Sequence, residues 1–365
     1  MKSRGTLILG LFLIAAVAVV GISQLLRSQP PLEITLAVTP LVEDWVRARV
    51  TAYNATSPVV NSTRRVNITV QAVDDLQVWG AENTRVGWNT DNHPDGWIAA
   101  ADFSVAYAAS ARLPFQTVLP SVGQTHLTWG AFPTFYNDAT GNGAALDWTS
   151  VADTAASSRS PLAFPHPGRS LNGLAVALSA AAAFGETPDI SAASLSNGEF
   201  RTWLFAVLNR VPNFNTLGAS VAETLASRGQ TLGNAALLSE AEWIRNLRGQ
   251  LAGGSGIRLS EPAYGLLFNF PLAAWSETNV AVPDPEAANR LAAVRAIGAW
   301  LTTPDSVSSA LAAGIRAGDA EAVAAAFAPY ASYGLTQTYT GQTITVSASR
   351  TDVVAFIGTI NQTIR

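Results

Sequence analysis

The sequence contains no cysteine, and this absence removes several kinds of chemistry at once. A disulfide framework, a thiolate metal site, a cysteine nucleophile and a lipidated cysteine anchor are all excluded. Charged residues are also scarce, at 13%, which is about half of the usual share. The net charge is −4 and the arginines are scattered, so no basic face is available for a nucleic acid. This composition is typical of an exported protein that needs no disulfides.

Sequence motifs for catalysis are missing as well. The chain has no glycine-rich loop for nucleotide phosphates and no Gly-x-Ser-x-Gly turn of the hydrolase type. The three histidines, His93, His126 and His166, follow no metal-ligand spacing. We therefore predict a protein that is not an enzyme and that uses no metal or cofactor.

A hydrophobic segment near the N-terminus follows the basic residues Lys2 and Arg4. It runs from Thr6 to Ile22 and, extended to residue 26, it reaches the length of about 20 residues that a membrane-spanning helix needs. No small-x-small cleavage site follows, which favours an uncleaved single-pass anchor over secretion after signal cleavage. The basic flank predicts an extracytoplasmic body. Residues 1–31 are thus an anchor or signal with a spacer, in contact with the membrane through residues 6–26.

The body of the chain alternates strand-like with helix-like segments. The first pair is a buried strand from Leu32 to Val38 and an amphipathic helix from Leu41 to Asn54. This alternation predicts an α/β fold with largely parallel sheets, and the length of 365 residues predicts about two folding units. A hairpin is predicted over 335–346.

Four segments, taken in order, resemble the type 2 periplasmic or extracellular solute-binding proteins. They are Ile34–Pro40 with its helix, Pro94–Phe103, Phe164–Leu174 and Val294–Ala313, which contains the motif Trp300–Asp305. The chain is most similar to the branch often fused to a von Willebrand factor A domain, and more distantly similar to molybdate and sulfate binders. The resemblance implies two lobes with a ligand cleft between them.

The resemblance also implies where the lobes lie in the sequence. Lobe 1 would comprise residues 32–120 and 270–365, and lobe 2 residues 121–269. The chain would cross between them near Leu119 to Trp129 and again near Ile257 to Phe270.

The turn Ser170-Leu171-Asn172-Gly173, at a helix start, is the leading ligand-site candidate. Free N–H groups and the positive helix end favour an anion there, although Ser170 is equally explained as an ordinary helix cap. The same alternative applies to Thr39, which precedes Pro40 at the start of the first helix. The predicted ligand-binding residues in these two turns are therefore Thr39, Ser170, Asn172 and Gly173.

Four further candidates come from strand ends and crossing segments. Asp102 and Ser104 follow a strand, where open α/β sheets place ligands. A carboxylate there would select cationic or hydroxylated ligands and would oppose a free oxyanion. Thr125 and Tyr264 lie on the two crossing segments, where each would either line the cleft or pack the hinge.

Two functions follow from this sequence. The first is a membrane-anchored, extracytoplasmic solute-binding protein for a small molecule or an oxyanion, working with a permease or a sensor. The alternative is a binding-protein fold that serves as a structural or interaction subunit of a membrane-associated extracellular assembly. The ten tryptophans leave both open, because they either pack the core or form sugar and protein contacts.

Overall fold

A computed structural model describes residues 30–141, 145–218, 220–247, 256–276 and 284–364. The strands are β1 (Leu32–Val38), β2 (Val59–Val60), β3 (Arg64–Ala72), β4 (Gly96–Ile98), β5 (Phe115–Leu119), β6 (Thr125–Ala131), β7 (Asp189–Ile190), β8 (Ala235–Ser239), β9 (Arg258–Ser260), β10 (Tyr264–Gly265), β11 (Leu267–Phe268), β12 (Leu272–Trp275), β13 (Gln342–Thr343) and β14 (Thr345–Val346). The α-helices are α1 (Glu43–Ala55), α2 (Asp75–Trp79), α3 (Asp102–Ser110), α4 (Pro133–Thr140), α5 (Trp148–Ser158), α6 (Leu171–Gly185), α7 (Ala192–Ser196), α8 (Gly198–Leu208), α9 (Val221–Arg228), α10 (Glu240–Leu247), α11 (Ala287–Leu301), α12 (Pro304–Ala312), α13 (Ala320–Phe327) and α14 (Arg350–Thr363).

The first lobe is built on a six-stranded sheet with the order β2-β3-β1-β4-β12-β5. Its central strand, β1, is buried along most of its length because the segment LEITLAV is nearly continuous in apolar residues. Helix α1 packs on β3 and buries Trp45, Val46, Val50 and Tyr53. The carboxyl ends of β1 and β3 therefore open towards the same edge of this lobe.

The second lobe is built on a smaller sheet around β6. Strand β8 pairs with one edge of β6, while β11 and β9 pair with the other. Helix α6 is apolar on all sides, with the sequence LNGLAVALSAAAAFG, and nearly all of its residues are buried in this lobe. Helix α10 follows β8 directly and packs on β6 and β8.

The expectation of largely parallel sheets is wrong for most of the molecule. Parallel pairing in the two main sheets is limited to β3-β1-β4, whereas β12 runs antiparallel to β4 and β5 and every pair of β6 is antiparallel. The reason is that β12 enters the first sheet on the return from the second lobe, without a crossover helix.

The chain passes between the lobes in adjacent segments. Residues 120–124 lead from β5 to β6, and residues 269–271 lead back from β11 to β12. The Val122 N–H donates to the Phe270 carbonyl at 3.1 Å, which joins these two crossings. A third segment joins them because Gln124 and Arg316 exchange two backbone hydrogen bonds of 2.8 Å.

The C-terminal segment pairs with the second lobe and also contacts the first. Strands β13 and β14 pair in parallel with β10 and β7, so the expected hairpin over 335–346 does not form. Helix α14 packs on α7, while Arg350 at its start donates to the carbonyls of Trp79 and Gly80 in the first lobe. The lobe boundaries expected from the sequence stay a prediction.

The expected anchor, residues 6–26, lies outside the described residues. Among the helices of the described ranges, none has the length and apolar character required to cross a bilayer.

Candidate ligand-binding site

A cavity of about 440 Å³ lies between the two lobes. The first lobe contributes the turn after β1 and Asp74, which lies two residues beyond the end of β3. The second lobe contributes the starts of α6, α9 and α10. The lining comprises Thr39, Pro40, Leu41, Asp74, Pro165, His166, Arg169, Ser170, Leu171, Asn172, Phe214, Asn215, Leu217, Gly218, Ser220, Val221, Glu242 and Arg245. Its size falls in the range of about 300–1,000 Å³ that small-molecule sites occupy.

The wall from the first lobe is formed where β1 ends. The Thr39 N–H donates to the Ile98 carbonyl at 3.0 Å, which extends the sheet by one residue, and Thr39 is buried. Its carbonyl accepts from the Val42 N–H, which turns the chain into α1. The structure thus places Thr39 in the lining of the cavity at the carboxyl end of a central strand, where open α/β sheets bind ligands.

The wall from the second lobe contains the start of α6. Ser170 has extended backbone angles, and its Oγ accepts from the Gly173 N–H at 3.1 Å. This is the N-cap arrangement that the sequence left open, and Ser170 and Asn172 also line the cavity. The Asn172 side chain donates to Glu242 at 3.2 Å, while its buried Oδ1 has no protein partner.

Gly173 has a packing role at this helix start. A Cβ atom there would lie 2.3 Å from the His166 carbonyl oxygen, so only glycine lets the loop 165–168 pack against α6. This loop in turn brings His166 to the cavity.

Asp74 reaches from the first lobe to the start of α6 in the second. Its carboxylate accepts from the Leu76 N–H at 2.9 Å, as the N-cap of α2, and from the Leu171 N–H at 3.1 and 3.2 Å. Burial raises the pKa of Asp74 to about 6, although these two backbone donors oppose the shift. The first-lobe carboxylate thus occupies the positive end of a second-lobe helix.

Glu242 has a similar position at the start of α9. Its carboxylate accepts from the Ser220 hydroxyl at 3.0 Å, the Ala222 N–H at 3.1 Å and the Asn172 side chain. Burial raises the pKa of Glu242, and the bonds from Ala222 and Ser220 oppose that shift. Glu242 therefore joins α10 to the starts of α6 and α9 at the cavity.

His166 contributes an aromatic edge to the cavity. Its Nδ1 accepts from the Gly168 N–H at 3.0 Å, and its ring meets Phe214 edge-on at 4.9 Å. Burial, assisted by Arg169, lowers the pKa of His166 to about 4, so the imidazole is neutral at pH 7. With Nδ1 accepting, Nε2 carries the proton and can donate to a ligand.

The two cations of the lining already have protein partners. Arg169 donates to Asn215 at 2.5 Å, and Arg245 lies 3.7 Å from Asp44 on the opposite lobe. The second pair is a weak tie across the rim because the Asp44 side chain is 88% exposed.

Five of the predicted site residues do not line this cavity: Asp102, Ser104, Thr125, Gly173 and Tyr264. Ser104 is fully buried beside Asp75, on α3. Asp102 is exposed at the start of α3, where its N–H donates to the Asn269 side chain. Thr125 is fully buried, and its Oγ1 accepts from the Ala241 N–H at 3.1 Å, so it supports the first turn of α10.

Tyr264 also lies outside the cavity lining. It is partly buried in β10, where it pairs with Gln342, and its carbonyl accepts from the Ser179 hydroxyl at 2.6 Å. The tryptophans are mainly core residues: Trp45, Trp79, Trp97, Trp129, Trp148 and Trp243 are buried. In the described part of the chain, no cluster of three acidic or histidine side chains is arranged to hold a metal ion.

Asp74 and Glu242 are not among the site residues predicted from the sequence. Asp74 lies 97 residues before its partner Leu171, and Glu242 lies 70 residues after Asn172. The available signal is local: Asp74 with Gln77 forms a capping box directly after a strand. That signal predicts a helix start and does not predict a contact across the cleft.

Comparison with solved structures identifies this architecture. A mannobiose-bound protein, CpMnBP1, has a TM-score of 0.59 at 12% identity over 91% of this chain and 94% of its own. A Listeria monocytogenes ABC substrate-binding protein in complex with cycloalternan has a TM-score of 0.55 at 11% identity over 92% and 95%. A Streptococcus pneumoniae solute-binding protein in complex with the blood group A-trisaccharide has 0.54 at 12% identity over 92% and 95%.

No family model matches the chain, and no curated protein matches its sequence. The finer resemblance, to the branch fused to von Willebrand factor A domains, stays a prediction. At these low identities the structural likeness shows the fold alone. The chain has the two-domain α/β fold of extracellular solute-binding proteins.

Proposed function

We propose that this chain is an extracytoplasmic solute-binding protein that holds a small ligand between its lobes. The main support is the cavity of about 440 Å³, which both lobes line with polar groups. Thr39 and Asp74 come from the first lobe, while Ser170, Asn172 and Glu242 come from the second. Ligand contacts to both sides would favour the closed arrangement of the lobes.

Carbohydrates are the first ligands to test. The structural neighbours were solved with mannobiose, cycloalternan and a trisaccharide. In this chain the neutral His166, the edge of Phe214 and the amide of Asn172 offer the mixture of aromatic and hydrogen-bonding contacts that sugars use.

The alternative, a binding fold used as a structural subunit, requires a broad apolar surface. Among the described residues, the large hydrophobic side chains that are exposed are Val59, at 46%, and Phe184, at 39%. They belong to different lobes and do not form one patch of several hundred Å², which a docking surface requires. We therefore favour the receptor function.

A thermal-shift screen of the full chain tests this proposal. A ligand at about 100 times its dissociation constant should stabilise the protein by about 2.7 kcal/mol. The panel should contain mono- and oligosaccharides, amino acids and oxyanions. Asn172→Ala should abolish the shift, whereas Asn67→Ala, on β3 beside Glu33, should preserve it. A panel without any stabilising compound would favour the structural-subunit function.

The proposed receptor would be tethered through residues 6–26 and would deliver its ligand to a permease or signal to a sensor. Lys2 and Arg4 would remain on the cytoplasmic side. Expressed full chain should resist extraction from membranes at alkaline pH, and two lysines introduced in place of Leu11 and Ile14 should abolish this resistance. Recovery of a shortened, soluble protein would instead indicate signal cleavage.

A further inference from the structure

The contact between Asp74 and Leu171 is the most unusual feature of the cleft. A carboxylate on one lobe accepts, through both of its oxygens, from the first N–H of a 15-residue helix on the other lobe. The Ser170 Oγ accepts from the Gly173 N–H. The Leu171 and Gly173 N–H groups at this helix start therefore already have acceptors from the protein itself.

A free oxyanion in this cleft would use the same position. The start of a helix binds sulfate or phosphate through unpaired N–H groups and the positive end of the helix dipole. Here the carboxylate of Asp74 provides both the negative charge and the acceptor atoms. A sulfate would have to displace it and would then lie close to it, with an unfavourable like-charge interaction.

The start of α9 repeats this arrangement. Glu242, from α10, accepts from the Ala222 N–H and the Ser220 hydroxyl, and Ser220 in turn accepts from the Glu223 N–H. The starts of α6 and α9, which line the cavity, are thus each supplied with a carboxylate from another element. Of the two guanidinium groups in the lining, that of Arg169 donates to Asn215 and that of Arg245 lies 3.7 Å from Asp44.

We propose that Asp74 is a built-in ligand that occupies the anion position of the cleft, so that the cavity excludes oxyanions and accepts neutral, hydroxylated ligands. This inference rests on the proposed receptor function. The buried Oδ1 of Asn172, which lacks a protein partner, supports it because an acceptor there requires a donor such as a hydroxyl group. The neutral His166 can complete the site as a donor from Nε2.

The decisive variant is Asp74→Ser in the full chain. Serine is as good an N-cap as aspartate, so α2 keeps its cap, but its side chain is too short to reach Leu171. We expect sulfate, titrated at constant ionic strength, to bind this variant at least about tenfold more tightly than the unaltered chain, which is within the range of anion–helix interactions. Thermal shift and isothermal titration calorimetry would both measure the gain.

Two further variants distinguish the effect of an acceptor atom at the Leu171 N–H from the effect of the negative charge. Asp74→Asn keeps an oxygen that can accept from Leu171, so it should gain little sulfate affinity. Asp153→Ser removes one negative charge at an exposed position of α5, outside the cavity lining, and should behave like the unaltered chain. The inference is overturned if the unaltered chain already binds sulfate at the cleft, if Asp74→Ser gains nothing, or if Asp74→Asn gains as much as Asp74→Ser. None of these outcomes depends on the native ligand, so failure here is distinct from failure of the receptor proposal, which the sugar panel measures.

Discussion

At the scale of single residues, buried polar groups explain why part of the predicted site is not at the cavity. Ser104 follows β4 and Thr125 lies where the chain crosses between the lobes, yet both are fully buried, and Thr125 supports the first turn of α10. Sequence position at a strand end does not specify which way a side chain points. Thr39 and Asn172 line the cavity because their turns lie at the edge that faces the other lobe.

Asp75 gives a prediction about the pH dependence of stability. It is fully buried, accepts from the Ala100 N–H at 2.9 Å, and its burial, together with the neighbouring Asp74, raises its pKa to about 8. The unfolded chain releases this proton near pH 4, so rising pH favours unfolding until the folded pKa is passed. Between pH 6.5 and 8 the protein should lose about 1 kcal/mol per pH unit through this group.

Asp75→Asn should remove that loss, because the amide resembles the protonated acid and can still accept from Ala100. Urea unfolding at several pH values would measure the difference. The exposed Asp153→Asn is the matched control and should retain the slope of the unaltered chain. Equal slopes in Asp75→Asn and the unaltered chain would show that Asp75 ionises normally.

Gly173 gives a second prediction at this scale. Gly173→Ala would place a methyl group 2.3 Å from the His166 carbonyl oxygen and should destabilise the protein by about 2 kcal/mol. Gly358→Ala is the control: nothing lies within 4 Å of its Cβ position in α14, and alanine favours helix, so stability should rise slightly. A melting temperature for Gly173→Ala equal to that of the unaltered chain would contradict this packing role.

At the scale of elements, periodicity predicts the first strand and the first helix. The apolar spacing over 41–54 corresponds to α1, which spans Glu43–Ala55. Strands β13 and β14 were read as a hairpin, since their true partners lie far away in the sequence.

The junction of the third crossing segment with α10 depends on a buried ion pair. Arg316 donates to both oxygens of Glu240 at 2.7 and 2.8 Å, and its guanidinium lies 4.2 Å from the centre of the Phe327 ring. Removing one partner leaves an uncompensated buried charge, so Glu240→Gln should cost about 3 kcal/mol. The double variant Glu240→Leu with Arg316→Met should cost clearly less than the sum of the two single changes.

Denaturant unfolding in a double-mutant cycle would measure this coupling. The exposed pair of Glu43 and Arg47 is the control, where Glu43→Gln should change stability by less than about 0.5 kcal/mol. Additive single effects at Glu240 and Arg316 would show that the crossing segment does not depend on this pair.

At the scale of the whole molecule, the two-lobed arrangement was predictable from the resemblance, but the ties between the lobes were not. Asp74 bonds to Leu171 across the cleft, and Arg350 connects the C-terminal helix to the carbonyls of Trp79 and Gly80. Each tie joins residues far apart in sequence and depends on the packing of both lobes. No local pattern carries that information.

These ties should hold the lobes close together without a ligand. The chain has no cysteine, so Ala48→Cys and Ser227→Cys, both at exposed positions, allow spin labels on opposite lobes without background labelling. The unaltered cleft should give one narrow distance distribution. Adding Asp74→Ser and Arg350→Gln should lengthen and broaden it, because these two cross-lobe contacts are then lost while the crossing segments remain.

The control pair for this experiment is Asp305→Ser with Arg295→Gln, which makes the same charge changes at exposed positions of the first lobe. It should leave the distance distribution unchanged. If the Asp74 and Arg350 changes also leave it unchanged, the crossing segments alone set the lobe arrangement. In that case a ligand would bind to a cleft that is already closed. A substitution of Asp74 would then alter the rate of ligand binding and would leave the distance between the lobes unchanged.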